Sequence, residues 1–299
     1  MVLGMKGETE QVDYDAGALS GGAVSPSHIT GFFQIFENGC TGAGVNTEHG
    51  ARTRVRILDT SARTTVVLNG ELSAAPVSNR VVQSFECHLR GRGVRVEHQI
   101  SSPIGYGLGM SGSGAFSLAL ALNDALSSPL SYAECMELSV RAEIASGTGL
   151  GDVVAQQFEG VMFGLPPYPS RSVEVIPSTG LEVVCAFFAP LDTKSIIRDS
   201  GWKARINAVG SECMQELMKN KTLSKFTALC RHFTFETGLA SDELRRVLTA
   251  IPEASMAMLG QTAFVLTADA PLARAKLSKF TNRIQTAKPA AQGAHVLEE

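Results

Sequence analysis

A glycine-rich stretch, PIGYGLGMSGSG at residues 103–114, stands immediately before an apolar run that is typical of a buried helix. Five of these residues are glycine, more than a tight turn requires, and each glycine costs conformational entropy on folding. A loop of this kind exposes backbone N–H groups beside the positive end of the helix dipole, which binds phosphate without any basic side chain. Ser111 and Ser113 add hydroxyl oxygens, which suit phosphate or Mg²⁺. The stretch therefore predicts a nucleotide-phosphate site.

Two other interpretations of this stretch remain open from the residues alone. The glycines could serve only the close packing of a helix. GMSGS is also close to the nucleophile elbow G-x-S-x-G, but the last glycine is missing and no histidine or acidic partner stands out. A Walker A loop and a lysine nucleophile are excluded from the first half, because no lysine occurs between Lys6 and Lys194.

The composition is that of a globular protein with one large domain or two ordinary ones. The 299 residues are 44% hydrophobic and 18% charged, and the net charge of -3 leaves no electrostatic footprint for nucleic acid. No apolar run reaches the ~18 residues that a membrane span needs, and residues 1–15 lack the apolar core of a signal peptide. The cysteines show no CxxC pair and no zinc spacing. We therefore expect a cytoplasmic protein without nucleic-acid or membrane partners.

The elements around the loop are predicted from residue periodicity. Alternation and abundant Thr and Val predict strands at 50–68 and 93–100, and apolar spacing predicts a helix at 113–126. Ser131 and Glu134 form a capping box that begins a second helix, which ends near residue 145. Later elements are predicted as a strand at 181–189, helices from 192 and at 202–220, 222–235 and 241–249, a strand within 257–269, a helix at 271–284 and a frayed tail.

The best boundary in the chain is GLPPYPS at 164–170, where three prolines in four positions stop any regular element. The first half is strand-rich and then helical, and the second half mixes strands and helices. This order predicts an α+β protein whose two domains, 1–165 and 172–299, meet across a cleft.

PIGYGLGMSG is similar to the second motif of the GHMP kinases, P-x-x-x-G-L-G-S-S-A. It matches at Pro103, Gly107, Leu108, Gly109 and Ser111 and departs at Met110 and Gly112. The resemblance extends along most of the chain, through SPSHITGFF (25–33), SGTGLGDVVAQ (146–156), DTKSII (192–197) and a weak third motif, MLGQTAF (258–264). It implies the GHMP kinase fold, in which an N-terminal α+β domain and a ferredoxin-like C-terminal domain flank the active site.

The resemblance also implies roles for individual residues. The loop would bind the phosphates of ATP through Pro103, Gly105, Gly107, Leu108, Gly109, Met110, Ser111, Gly112 and Ser113. Asp152 matches the catalytic aspartate, and Ser111 and Glu143 match the ligands of Mg²⁺. His28, in place of the family's basic residue, would be a second catalytic residue, with a hydrogen bond to the acceptor hydroxyl or to a phosphate oxygen. Each residue also has a non-functional interpretation: Asp152 as a helix N-cap, His28 as a structural histidine, and Glu143 as a charge on a helix surface.

Among the branches of this family, HITGFF, GCTGAGV with GARTRVR, and GTGLGDV are similar to the archaeal pantoate kinases. This similarity implies a dimer that uses ATP to phosphorylate the 4-hydroxyl of pantoate, giving 4-phosphopantoate for coenzyme A synthesis. Ser27, His28, Thr30 and Asp152 would then form the acceptor pocket.

The carboxylate of pantoate predicts an arginine in that pocket, because a guanidinium binds a carboxylate with two hydrogen bonds. Arg54 and Arg141 are the candidates, although Arg52, Arg54 and Arg56 also fit a solvated face of a strand. Two alternatives to the pantoate interpretation remain. One is a kinase of this family acting on mevalonate, shikimate or homoserine, and the other is a non-catalytic ligand sensor with the same fold.

Overall fold

The computed structural model describes residues 19–37, 39–60, 63–149, 151–166, 172–191 and 193–298. Residues 1–15 and most of the proline-rich boundary, about which the sequence made predictions, lie outside the described residues. Within these ranges the strands are β1 (Ser20–Phe36), β2 (Gly39–Thr60), β3 (Thr65–Leu68), β4 (Glu71–Leu72), β5 (Arg92–Ile100), β6 (Val161–Gly164), β7 (Val173–Ile176), β8 (Glu182–Ala189), β9 (Ser255–Met256), β10 (Gln261–Thr267), β11 (Ile284–Ala287) and β12 (His295–Val296).

The helices over the same ranges are α1 (Pro76–Ser84), α2 (Glu86–Leu89), α3 (Met110–Ala125), α4 (Tyr132–Ser146), α5 (Asp152–Ala155), α6 (Thr193–Ile197), α7 (Ser200–Lys219), α8 (Leu223–Thr237), α9 (Asp242–Ala250) and α10 (Ala270–Leu277). None of these described helices has the length and apolar character needed to cross a membrane. The predicted mixture of strands followed by helices, and then both together, is confirmed.

The first sheet is built on the long antiparallel pair of β1 and β2. Its strand order is β12-β1-β2-β5-β3-β4, with β6 paired to β2 and β7 paired to β6. Helix α3 lies against β1 and β2 because almost all of its side chains are apolar or small, and Phe116, Leu118 and Leu122 are fully buried. Helix α4 packs on α3, and it begins at the predicted capping box of Ser131 and Glu134.

The second sheet is antiparallel and has the strand order β11-β8-β10-β9. The chain runs from β8 through helices α6–α9 to β9 and β10, and then through α10 to β11. Counted from β8, the spatial order is fourth, first, third and second strand, which is the ferredoxin-like arrangement that the resemblance implied.

Strand β1 contributes to two separate hydrophobic cores. Ala23, near its beginning, belongs to the core formed by β5 and helices α1, α3 and α4. Ile29 and Phe32, further along, belong to the core formed with the second sheet and helices α7 and α8. The ring centroids of Phe32 and Phe226 are 6.3 Å apart, so β1 is in direct contact with α8.

The predicted division at residues 165 and 172 needs correction, because the chain crosses between the two sheets more than once. Strand β7 follows the proline-rich segment but pairs with β6 in the first sheet. Strand β12, at the other end of the chain, pairs with β1 in that same sheet. The region after residue 172 therefore supplies two strands to the N-terminal sheet.

The tail is ordered, so the prediction of a frayed end is wrong. The Ala290 N–H donates to the Asn46 carbonyl at 2.8 Å, and the Ala294 N–H donates to the Gln156 carbonyl at 2.8 Å. Small residues allow this close approach: a Cβ on Gly293 would lie 2.0 Å from the Gln157 carbonyl oxygen. The predicted helix at 271–284 is also too long, because α10 ends at Leu277 and Ile284 begins the edge strand β11.

Candidate active site

The glycine-rich stretch forms a loop that ends at the N-terminus of α3. Gly107 and Gly109 have φ values of 81° and 60°, a region that favours glycine, and Gly109 is the N-cap of the helix. No side chain caps α3, so its first backbone N–H groups are not used by a local acceptor. The loop lines a cleft of about 250 Å³ through Ile104, Gly105, Gly107, Leu108, Gly109, Met110 and Ser111.

The weak third motif holds this loop in place from the second half of the chain. The Thr262 hydroxyl donates to the Tyr106 carbonyl at 2.8 Å. A Cβ on Gly260 would lie 2.0 Å from the carbonyl carbon of Tyr106, so any larger residue there would push the loop away. Met258 and Leu259 line the cleft opposite α3. The motif therefore acts as a backbone support that fixes the shape of the loop.

Two acidic side chains lie beside the beginning of α3. The Glu143 carboxylate, on α4, accepts hydrogen bonds on Oε1 from the Ser111 hydroxyl at 2.6 Å and the Thr148 hydroxyl at 2.9 Å. Burial raises the pKa of Glu143 to about 7, against the opposing effect of these hydroxyls. A Cβ on Gly109 would lie 3.2 Å from Oδ2 of Asp152, so this second carboxylate lies directly against the loop.

Asp152 is the first residue of the short helix α5, and its side chain does not cap that helix. The N-cap is Gly151, so the alternative interpretation of Asp152 as a capping residue is wrong. Burial raises the pKa of Asp152 from its ordinary 3.8 to about 6, and a hydrogen bond with the Thr30 side chain opposes this rise. The carboxylate is thus available to a ligand and is held by Thr30.

A smaller chamber of about 40 Å³ opens beside the wide cleft. The two spaces share Thr30, Phe33, Cys40, Gly151 and Asp152. His28 and Thr41 line only the smaller chamber. Burial lowers the pKa of His28 to about 4, so its ring is neutral at physiological pH. Asp152 therefore stands where the glycine-loop cleft and the small chamber meet.

Several predicted contact residues lie elsewhere. Ser27 is fully buried, and its hydroxyl pairs with that of Thr47 at 2.7 Å. The Ser113 hydroxyl donates to the Ser25 carbonyl and accepts from the Ala51 N–H, so it anchors α3 to the sheet. Pro103, Gly112 and Ser113 do not line the cleft.

The two predicted arginines are also away from the cleft and the chamber. Arg54 is exposed on β2, between the inward-facing residues Thr53 and Val55, because side chains alternate along a strand. The Arg141 side chain is 73% exposed on α4 and pairs with Glu137 at 3.4 Å. Neither residue lines either space, which corrects their predicted position in the acceptor pocket.

Among the described residues, the cation that lines the cleft is Lys194, at the beginning of α6. One feature of the sequence could have drawn attention to Lys194: it is the first lysine after a long stretch without lysine that begins after Lys6. Asn46, which holds His28, and Gln156, whose amide donates to the Gly109 carbonyl at 2.9 Å, were also missed. Both act through pairing between distant segments that no local pattern predicts.

Comparison with known proteins places this site in a family. The profile described as the GHMP kinases N terminal domain matches residues 77–160, which include the loop, α3, α4 and Asp152. A pantoate kinase of Methanocaldococcus jannaschii is 31% identical over 252 residues, covering 81% of this chain and 91% of that protein. The chain belongs to the GHMP kinases. A pantoate kinase of Thermococcus kodakarensis is 29% identical over 85% of this chain and 90% of its own length.

Solved structures of this GHMP kinase fold agree. A phosphotransferase related to the coenzyme A biosynthesis pathway superposes with a TM-score of 0.83 at 27% identity, covering 93% of this chain and 98% of that one. Mevalonate diphosphate decarboxylase from Staphylococcus aureus superposes with a TM-score of 0.71 at 16% identity, over 93% of this chain and 98% of its own. The second likeness concerns the fold alone. The expected GHMP kinase fold is confirmed.

Proposed function

We propose that this protein transfers the γ-phosphoryl group of ATP to the 4-hydroxyl of pantoate, giving 4-phosphopantoate and ADP. The observation that carries the proposal is the position of Asp152, which lines both the glycine-loop cleft and the small chamber. A carboxylate at that junction can accept the proton of an acceptor hydroxyl that faces a phosphate. The similarity to pantoate kinases supports the choice of acceptor.

The glycine loop and the N-terminus of α3 would hold the ATP phosphates. Uncapped N–H groups and the helix dipole provide positive potential there, and Lys194 adds a formal charge from the other side of the cleft. Phosphoryl transfer requires this neutralisation, because charge spreads over the oxygens of the transferred group.

Ser111 and Glu143 fit the requirements of a Mg²⁺ ion. Mg²⁺ in kinases is bound through one or two carboxylates together with substrate phosphates. Glu143 is 2% exposed, and the described hydrogen-bond partners of its carboxylate, the Ser111 and Thr148 side chains, are neutral hydroxyls. A cation beside this buried carboxylate would offset the cost of its burial. When bound, Mg²⁺ neutralises charge on the phosphates.

The acceptor would lie in the small chamber with its reacting hydroxyl towards Asp152. Thr30 donates to this carboxylate and fixes its orientation. The apolar walls contributed by Phe33, Val154 and Met162 suit the two methyl groups of pantoate, which a linear or more polar acceptor such as homoserine lacks.

The proposal is tested by ADP release from Mg-ATP with pantoate, mevalonate, homoserine or shikimate as the acceptor. Turnover with pantoate is expected, and turnover only with another alcohol would overturn the acceptor assignment. Asp152→Asn should abolish turnover and leave ATP binding intact, measured by calorimetry. ATP binding without turnover of any acceptor would favour a ligand sensor. We also propose that the protein is cytoplasmic and forms a homodimer. The molar mass of the purified protein, measured by light scattering, tests the dimer.

A further inference from the structure

The small chamber contains a histidine whose proton position is fixed by its neighbours. Asn46 is fully buried, and its Nδ2 donates to the Ala155 carbonyl at 2.8 Å and to the Phe158 carbonyl at 2.7 Å. Carbonyl oxygens only accept hydrogen bonds, so the amide cannot be turned the other way. The Asn46 Oδ1 must therefore face Nδ1 of His28, which lies 2.8 Å away.

The histidine consequently donates through Nδ1 and keeps a bare lone pair on Nε2. Because burial lowers the pKa of His28 to about 4, the neutral ring carries one proton only. That proton is on Nδ1, and Asn46 Oδ1 accepts its hydrogen bond. No hydrogen bond within the described residues engages Nε2. The atom can accept a hydrogen bond, but it cannot donate one or attract an anion.

A second polar group in the chamber also lacks a partner. Thr41 as a whole residue is 5% exposed, and its hydroxyl is buried without any hydrogen bond in the described structure. Buried polar groups nearly always have partners, so an unmade bond of this kind points to a ligand. His28 and Thr41 both line the chamber, and Asp152 closes it on the side of the cleft.

We propose that this chamber recognises its acceptor through a second, non-reacting hydroxyl, which donates to Nε2 of His28 while the reacting hydroxyl donates to Asp152. This proposal rests on the function proposed above, and it assigns the second hydroxyl as the one on C2 of pantoate. The Thr41 hydroxyl completes the contact by donating to the oxygen of that group. His28 is then a specificity residue, and Asn46 is the positioning residue that fixes its proton.

The proposed contact explains how a keto acid would be excluded. A carbonyl at C2 presents a lone pair to the lone pair of His28, and it leaves Nε2 without a donor in a buried site. A site built to bond a hydroxyl rejects analogues without it strongly, because its own polar group then stays unpaired. The chamber is therefore selective for a 2-hydroxy acid over both the 2-oxo and the 2-deoxy analogue.

The first experiment measures kcat/KM for pantoate, for 4-hydroxy-3,3-dimethylbutanoate, which lacks the C2 hydroxyl, and for the 2-oxo analogue. The wild type should lose about 10–100-fold with the deoxy acid and at least as much with the oxo acid. His28→Asn keeps an amide donor for Asn46 but removes the acceptor, so it should lose a similar factor with pantoate and almost nothing with the deoxy acid. His28→Gln is the matched control, because its amide oxygen can reach the position of Nε2 and should restore part of the loss.

Thr41→Val provides a variant whose folding is not in question, since it replaces an unpartnered hydroxyl by a methyl group of the same shape. It should lose activity with pantoate more than with the deoxy acid. Equal losses on the two acids for His28→Asn and Thr41→Val, or a wild type that does not distinguish the acids, would overturn the proposal. Failure of the wild type to phosphorylate any of these acids would instead overturn the proposed function itself.

A second experiment tests the fixed proton without turnover. In ¹⁵N-histidine-labelled protein, the resonances absent from His28→Asn identify the His28 ring. The proton should reside on Nδ1, and Nε2 should keep the shift of a bare nitrogen, between pH 5.5 and pH 8. A proton on Nε2, or a charged ring within that range, would overturn the proposal even if pantoate is the substrate.

Discussion

Asp152→Asn should make the free protein more stable while it removes turnover. In the folded protein, burial raises the pKa of Asp152 from its ordinary 3.8 to about 6, and a difference of this size corresponds to about 3 kcal/mol at neutral pH. Asp152 as a whole residue is half-buried beside the cleft, so solvent screens part of this cost, and we expect a gain of about 1–3 kcal/mol for asparagine. The amide oxygen can still accept from Thr30.

The sign of this effect depends on pH in a defined way. The folded protein binds the Asp152 proton more tightly than the unfolded chain does, so the group's unfavourable contribution is absent below about pH 4. It grows as the pH rises and is complete above the folded pKa of about 6. The advantage of the asparagine variant should therefore be largest at pH 8 and mostly gone at pH 4.

Urea unfolding of both proteins at pH 8, 6 and 4, without nucleotide, measures this difference directly. Thr30→Val is a useful companion, because it removes the hydrogen bond that opposes the pKa rise and should increase the gain from Asp152→Asn. An asparagine variant that is less stable than the wild type at pH 8, or a difference that does not change with pH, would refute the argument.

Three further outcomes are expected. The kcat/KM for pantoate should fall as the pH drops below about 6, because Asp152 must be ionised to accept the hydroxyl proton; a flat profile down to pH 5 contradicts this role. Lys194→Met should lower kcat/KM by about 10–100-fold through the loss of a charge-assisted contact, whereas the exposed Lys279→Met should not, as steady-state kinetics of the two variants will show. Gly293→Ala should lower the free energy of unfolding by about 1–3 kcal/mol, since its Cβ would meet the Gln157 carbonyl, and an unchanged urea midpoint would disprove the tight seating of the tail.

The parts of the fold that local patterns encode were predictable. The capping box predicts the start of α4, and apolar spacing predicts α3, because both patterns depend on residues within a few positions of each other. The glycine loop was visible for the same reason. The tail was mispredicted because its order comes from hydrogen bonds to Asn46 and Gln156, far away in the chain, and its own small residues carry no periodic pattern.

The residues of the candidate site also differ in whether a local pattern could predict them. Ser111, Glu143 and Asp152 were found through motifs, and they do lie around the beginning of α3. Arg54 and Arg141 were suggested by charge alone, and strand alternation and helix exposure direct both side chains to solvent. The contact of Asn46 with His28 could not be predicted, since it depends on the register that sets the two residues opposite each other across the β1–β2 pair.

The division of β1 between two cores bears on the order in which the chain can fold while it is being synthesised. The strand is among the first described segments to leave the ribosome, yet Phe32 is covered by Phe226 and Phe233, which are made much later. Until α8 has been translated, the second half of β1 is an apolar strand without its cover, and such surfaces are prone to aggregate. We therefore expect the N-terminal region to complete its fold only after helices α7 and α8 have emerged from the ribosome.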